Sequence, residues 1–144
     1  MQNKLQIGLI GLGNVGLQVA KELVNNKDLG NYFSLKSILV RSTSKYIKII
    51  DNDQELLENS KIMKNLLTEN SEEFFKDKFD VVVELIGGLD PANKYVKTAL
   101  KEKKHVVTAN KELIANNFSE LIKIAKNNKK KLRFEGSVGA GIPV

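Results

Sequence analysis

Residues 5 to 24 restrict the fold more than any other stretch. Leu5 to Ile10 is a short apolar run ended by glycine, and it reads as a buried strand. Gly11-Leu12-Gly13-Asn14-Val15-Gly16 follows at once. Val15, Val19, Leu23 and Val24, with Ala20 between them, then carry helical spacing over Asn14 to Val24. A bare G-x-G-x-x-G is a weak signal. After a strand and opening a helix, it stands where a dinucleotide pyrophosphate binds. Gly11 allows the tight turn, Gly13 leaves room for phosphate against the backbone, and Gly16 lets the helix pack on the strand. The free N–H groups and the positive dipole of the helix start then face the phosphates. A plain tight turn without a ligand is the competing reading, and the strand–turn–helix context argues against it.

The same alternation runs along the whole chain. Leu35 to Val40 reads as a second strand, closed by Arg41-Ser42-Thr43-Ser44. Tyr46 to Ile50 reads as a short strand or a loop, and Gln54 to Leu67 as a helix. Ser71-Glu72-Glu73 looks like a helix start. Asp80 to Ile86 is the clearest buried strand, broken by Gly87-Gly88. Asp90-Pro91 then opens a helix to about Lys103, with Asp as N-cap and Pro at N1. His105 to Thr108 is another strand, and Asn110 or Asn117 caps the helix holding Leu121, Ile122 and Ala125. Leu132 to Glu135 is a last strand before the glycine-rich Gly136 to Pro143. The expected class is α/β: a doubly wound, mainly parallel Rossmann-type sheet with helices on both faces.

Composition narrows the partners. The 144 residues suit one domain, and the absence of cysteine removes disulfides and thiolate metal sites. No apolar stretch approaches the roughly 18 residues of a membrane span. Met1 to Lys4 leads almost directly into the first strand, so a cytoplasmic protein without a signal peptide is expected. The net charge of +6 gathers late, at Lys101, Lys103, Lys104, Lys126, Lys129, Lys130, Lys131 and Arg133. A nucleic-acid patch would need aromatic residues among the charges for stacking, and none interleave them. Solvated lysines are the expected reading, with no nucleic-acid partner and no membrane.

Cofactor choice turns on the second strand. In NAD-binding units an acid at its end accepts from the ribose 2′-OH. Here the strand ends in Arg41 and three hydroxyls, and no acid appears before Asp51. An arginine suits a 2′-phosphate, which favours NADP and leaves NAD open. Ile86, Gly87 and Gly88 sit at the carboxyl end of the buried strand, where ligands lie in such sheets. Lys111, after Thr108-Ala109-Asn110, is the best candidate for moving a proton. His105, the one histidine, is expected to be structural, and no Ser-His-Asp set can be assembled.

Four segments together resemble homoserine dehydrogenase: Ile7 to Gly16, Val81 to Gly88, His105 to Lys111, and Phe134 to Pro143. The first is shared by many Rossmann enzymes; the other three together are more specific. The resemblance implies NAD(P)-dependent interconversion of L-homoserine and L-aspartate 4-semialdehyde, in threonine and methionine biosynthesis. It places the pyrophosphate at Asn14 and Val15, the adenosine ribose at Arg41, and the cofactor against Ile86, Gly87 and Gly88. Lys111 would stand near the nicotinamide and substrate. Glu135, with the carbonyls of Val138, Ala140 and Ile142, would match a monovalent cation site, usually sodium. It also implies a substrate-binding, dimerising region after the Gly-Ile-Pro motif. Residues 1–144 are therefore read as the NAD(P)-binding domain, with 134–144 leading into a catalytic domain absent from the chain. The piece alone is expected to bind cofactor without turnover, and the full-length enzyme to be a homo-oligomer.

Two other readings remain. One is a different Rossmann amino-acid or semialdehyde dehydrogenase, although the latter needs a nucleophilic cysteine that this sequence lacks. The other is a non-catalytic NAD(P)-sensing module. Beyond Arg41, Tyr32 to Phe79 carries no motif of that family, and its role stays open.

Overall fold

The computed structural model describes residues 3–134. In chain order the elements are β1 (Leu5–Ile10), α1 (Asn14–Asn25), β2 (Phe33–Leu39), α2 (Thr43–Asp51), α3 (Ser60–Asn65), β3 (Leu67–Thr68), α4 (Ser71–Lys76), β4 (Val81–Glu84), α5 (Ala92–Lys101), β5 (His105–Thr108), α6 (Lys111–Asn127) and β6 (Leu132–Arg133). The strands form one sheet in the order β3-β2-β1-β4-β5-β6, and every pairing is parallel. The chain thus starts in the middle, winds outward to β3, returns past β1 and winds outward again to β6. The direction of winding reverses between β1 and β4, and the crevice above such a reversal is where ligands bind in sheets of this kind.

Strand alternation divides the core between the two faces. Ile7 and Leu9 of β1 join Leu35, Ile38, Ala20, Ile50 and Met63 beneath α1, α2 and α3. Ile10 joins Phe74, Val82, Val96, Val106, Leu113 and Leu121 beneath α4, α5 and α6. Val106 is buried under α5 and α6, so its neighbour Val107 points to the opposite face, where it is 39% exposed.

Three local expectations are corrected. Tyr46 to Ile50 is neither strand nor loop but part of α2. The Ser42 side chain accepts from the Lys45 N–H at its start, and Ile50, one helical turn beyond Tyr46, is buried. A β-branched run is ambiguous until a cap and a buried face decide it. Gln54 to Leu67 is not one helix. A 3-10 turn at Gln54–Leu56 and the short α3 are followed by the edge strand β3. Its backbone is claimed by β2, where the Ile38 N–H donates to Leu66 O (2.7 Å) and the Val40 N–H to Thr68 O (2.9 Å). Asp90 is not the N-cap and Pro91 is not N1: α5 begins at Ala92 and Pro91 itself stands at the cap. The Asp90–Pro91 bond is cis, no side chain caps α5, and its first turn closes through the Asn93 N–H to Leu89 O. Of the two cap candidates for α6, Asn110 is the one used: its Oδ1 accepts from the Leu113 N–H at 3.0 Å.

Candidate functional site: a glycine turn above the sheet reversal

The glycine turn lies at the switch point. The Gly11 N–H donates to Leu39 O of β2 and the Leu85 N–H donates to Ile10 O, so the turn is stitched to the strands on both sides of β1. Gly11 sits at φ +96°, a conformation costly for any residue with a Cβ. A Cβ on Gly16 would overlap the Gly11 carbonyl, so only glycine lets α1 start this close to the strand. A Cβ on Gly13 would meet nothing within 4 Å. That open space is where a phosphate can reach the backbone. Gly13 is also the N-cap of α1, with no side chain capping the helix and no acid in its first turn. The first amides of a helix need acceptors. Here those of Asn14, Val15 and Gly16 are left for an anion.

The turn forms one wall of a cavity of about 400 Å³. Gly11, Gly13, Arg41 and Ile86 all line it, so four residues singled out from the sequence meet in one place. Ser42, Lys45, Glu69, Pro91 and Tyr95 are also among its lining residues. Asn14, Val15 and Gly16 continue from the turn into α1, with Val15 60% exposed. Glu69 was not legible as part of the site: it follows β3, an element that periodicity did not show. Its Oε1 accepts from the Thr43 N–H (2.6 Å) and the Thr43 hydroxyl (2.8 Å), which hold its carboxyl below the usual range.

Gly87, Gly88 and Lys111 are not among the residues lining the cavity, and a largely buried polar chain links the loops that carry them. Glu84 at the end of β4 is fully buried. Its Oε1 accepts from the Ile86 N–H (2.7 Å) and its Oε2 from the Thr108 hydroxyl (2.6 Å). Thr108 Oγ1 accepts in turn from the Asn110 N–H (3.1 Å), and Asn110 Nδ2 donates to Gly88 O (2.6 Å). Gly87 and Gly88 both have positive φ, at +73° and +70°. The strand-end loops of β4 and β5 are therefore one unit, with Lys111 exposed in the first turn of α6 beside it. His105 Nδ1 accepts from the Lys131 N–H at 3.0 Å, which ties the start of β5 to the turn before β6. Burial lowers its pKa, and Lys130 and Lys131 push the same way, partly opposed by Asp80.

The late lysines are not all solvated. Lys104 is buried, with its ammonium 5.8 Å from the centre of the Phe79 ring and 3.6 Å from Glu102. Glu135, Val138, Ala140 and Ile142 lie outside the described residues. No helix among the described residues is long and apolar enough to cross a membrane.

A parallel sheet wound both ways from β1, with uncapped helix amides above the reversal, defines a dinucleotide-binding domain of the Rossmann class. Residues 11–135 match the family model described as the NAD-binding domain of homoserine dehydrogenase. The chain belongs to that family. It is 37% identical to homoserine dehydrogenase of Bacillus subtilis over 97% of its own length and 31% of that protein. A crystal structure of homoserine dehydrogenase from Thiobacillus denitrificans superposes with a TM-score of 0.79 at 32% identity, covering 98% of this chain and 31% of that one. A hyperthermophilic archaeal homoserine dehydrogenase in complex with NADPH gives 0.70 at 27% identity, covering 99% of this chain and 47% of that one. The chain spans about a third of the length of the curated relatives it matches.

Proposed function

We propose that this chain is the cofactor-binding part of an NAD(P)-dependent homoserine dehydrogenase, interconverting L-homoserine and L-aspartate 4-semialdehyde in the cytoplasm. One observation carries the reading: the uncapped start of α1 and the cation Arg41 stand around the same cavity. The residues present fit a dinucleotide. The space at Gly13 admits a pyrophosphate, and the adjacent amides supply donors without a competing side chain. Arg41, Ser42 and Lys45 lie on the cavity rim where β2 ends, at the position that takes the adenosine ribose. Arg41 there favours NADP over NAD, since a guanidinium pairs with a 2′-phosphate in bidentate fashion.

When bound, the nicotinamide supplies or accepts the hydride. This chain's part is to orient it. The Glu84–Thr108–Asn110–Gly88 chain fixes the loop that would line the cofactor. Lys111, on the helix that Asn110 caps, is the proposed proton carrier at the substrate oxygen. Substrate contacts, and the assembly expected to be a homo-oligomer, are assigned to a catalytic domain entered through 134–144. The extra length of the relatives supports that assignment. Sodium at Glu135 and the carbonyls of Val138, Ala140 and Ile142 is proposed on the chemistry of that donor set alone.

Titration with NADPH and NADH, followed by nicotinamide fluorescence, tests the reading. Both are expected to bind, the NADP form more tightly. Arg41→Ser should cost about tenfold in NADPH affinity, the scale of a charge-assisted contact, and leave NADH nearly unchanged. A folded chain that binds neither would overturn the proposal.

A further inference from the structure

The rule that reads cofactor preference from sequence looks for an acid at the end of β2. By that rule this chain has none, since Arg41 and Ser42 stand there. The tertiary structure supplies one from elsewhere. β3 pairs with β2 so that Thr68 lies beside Leu39, and Glu69 leaves the end of β3 as Val40 and Arg41 leave the end of β2. Glu69 lines the same cavity as Arg41, Ser42 and Lys45. We propose that Glu69 sets the balance between NADP and NAD at this pocket, its carboxylate standing in for the acid that β2 lacks.

The geometry gives this carboxylate two effects of the same sign. Both bonds from Thr43 go to Oε1, and Oε2 accepts no hydrogen bond among the described residues. Oε2 is thus available to a ribose 2′-hydroxyl, which can donate, and repels a 2′-phosphate, which cannot. In addition, Oε1 occupies the Thr43 amide at the start of α2, a donor that a phosphate beside Arg41 would otherwise use. Arg41 and Lys45 pull the other way. The pocket therefore holds a cation pair for the phosphate and a fixed anion for the hydroxyl, and selectivity is their difference.

The inference rests on the cavity being the adenosine end of a dinucleotide site. The test titrates the chain and its Glu69→Gln and Glu69→Ala variants with NADPH and NADH, with thermal melts showing that each is folded. Glu69→Gln removes the charge and keeps an acceptor for Thr43; Glu69→Ala also frees both Thr43 donors. The ratio of NADPH to NADH affinity should rise about threefold to fivefold in Glu69→Gln, the range an exposed charge pair commands, and at least as much in Glu69→Ala. A merely structural Glu69 would weaken both dinucleotides together. An unchanged ratio in both variants, or a fall, overturns the role of Glu69 while leaving the cofactor site intact. Failure of the unaltered chain to bind either dinucleotide overturns the site itself, and this inference with it.

Discussion

Thr108→Val probes the buried chain that joins the two loops. Thr108 is 1% exposed, and valine has nearly its shape, so burial and packing are retained. What is lost is the hydroxyl. It donates to Oε2 of the fully buried Glu84 at 2.6 Å and accepts from the Asn110 N–H at 3.1 Å. A hydrogen bond to a charged group contributes about 1.5–3 kcal/mol, and a buried partner left unpaired adds its own desolvation cost. The expected loss is about 3 kcal/mol, a large part of the 5–15 kcal/mol or so that holds a domain folded. For a domain of this size that corresponds to a fall in Tm of about 10 °C. Thr108→Ser keeps the hydroxyl and deletes one buried methyl, which costs about 1 kcal/mol. Urea and thermal unfolding by circular dichroism should rank the unaltered chain above Ser above Val, with the denaturant slope unchanged. If the valine variant is as stable as the serine variant, Thr108 is a packing residue and the polar chain does not hold these loops.

The glycine turn separates folding from binding. Gly16→Ala should cost about 2 kcal/mol or more, because the added methyl overlaps Gly11 backbone that cannot move freely. Gly13→Ala should stay within about 1 kcal/mol in a melt, yet lose at least about tenfold in NADPH affinity as the backbone becomes shielded. Acid should weaken the domain through His105. Its folded pKa lies below the ordinary 6.5, so the stability it contributes is complete above pH 6.5 and falls as pH drops toward the lowered value. A protonated ring cannot accept the Lys131 amide, and the slope of stability against pH in that window should flatten in His105→Gln.

Much of this domain was readable locally. The strand–glycine–helix unit is written in three adjacent patterns, and the structure starts α1 directly after Gly13, with Asn14 as its first residue. Asn110 was one of two candidates for the α6 cap, and side-chain chemistry favours it at the helix start it now holds. Two of the misreadings share a cause. Tyr46 to Ile50 is equally apolar as helix or strand, and its state depends on which face meets β2 and β1. β3 has only two residues, Leu67 and Thr68, too few for any period to show. Its identity rests on hydrogen bonds to β2, formed between residues nearly 30 positions apart.

The candidate site divides along the same line. Gly11, Gly13, Gly16 and the cation at Arg41 follow from sequence, because a tight turn and a strand end constrain residue type within a few positions. Glu69 and the Glu84–Thr108–Asn110–Gly88 chain do not. Each residue is ordinary in its own segment and gains meaning from parallel pairing, which sets Thr68 beside Leu39 and Thr108 beside Glu84. Sequence alone determined that this chain has a phosphate-binding turn. Only the tertiary structure decided which charges surround the cavity beside that turn, because sheet register brings together residues that no local pattern links.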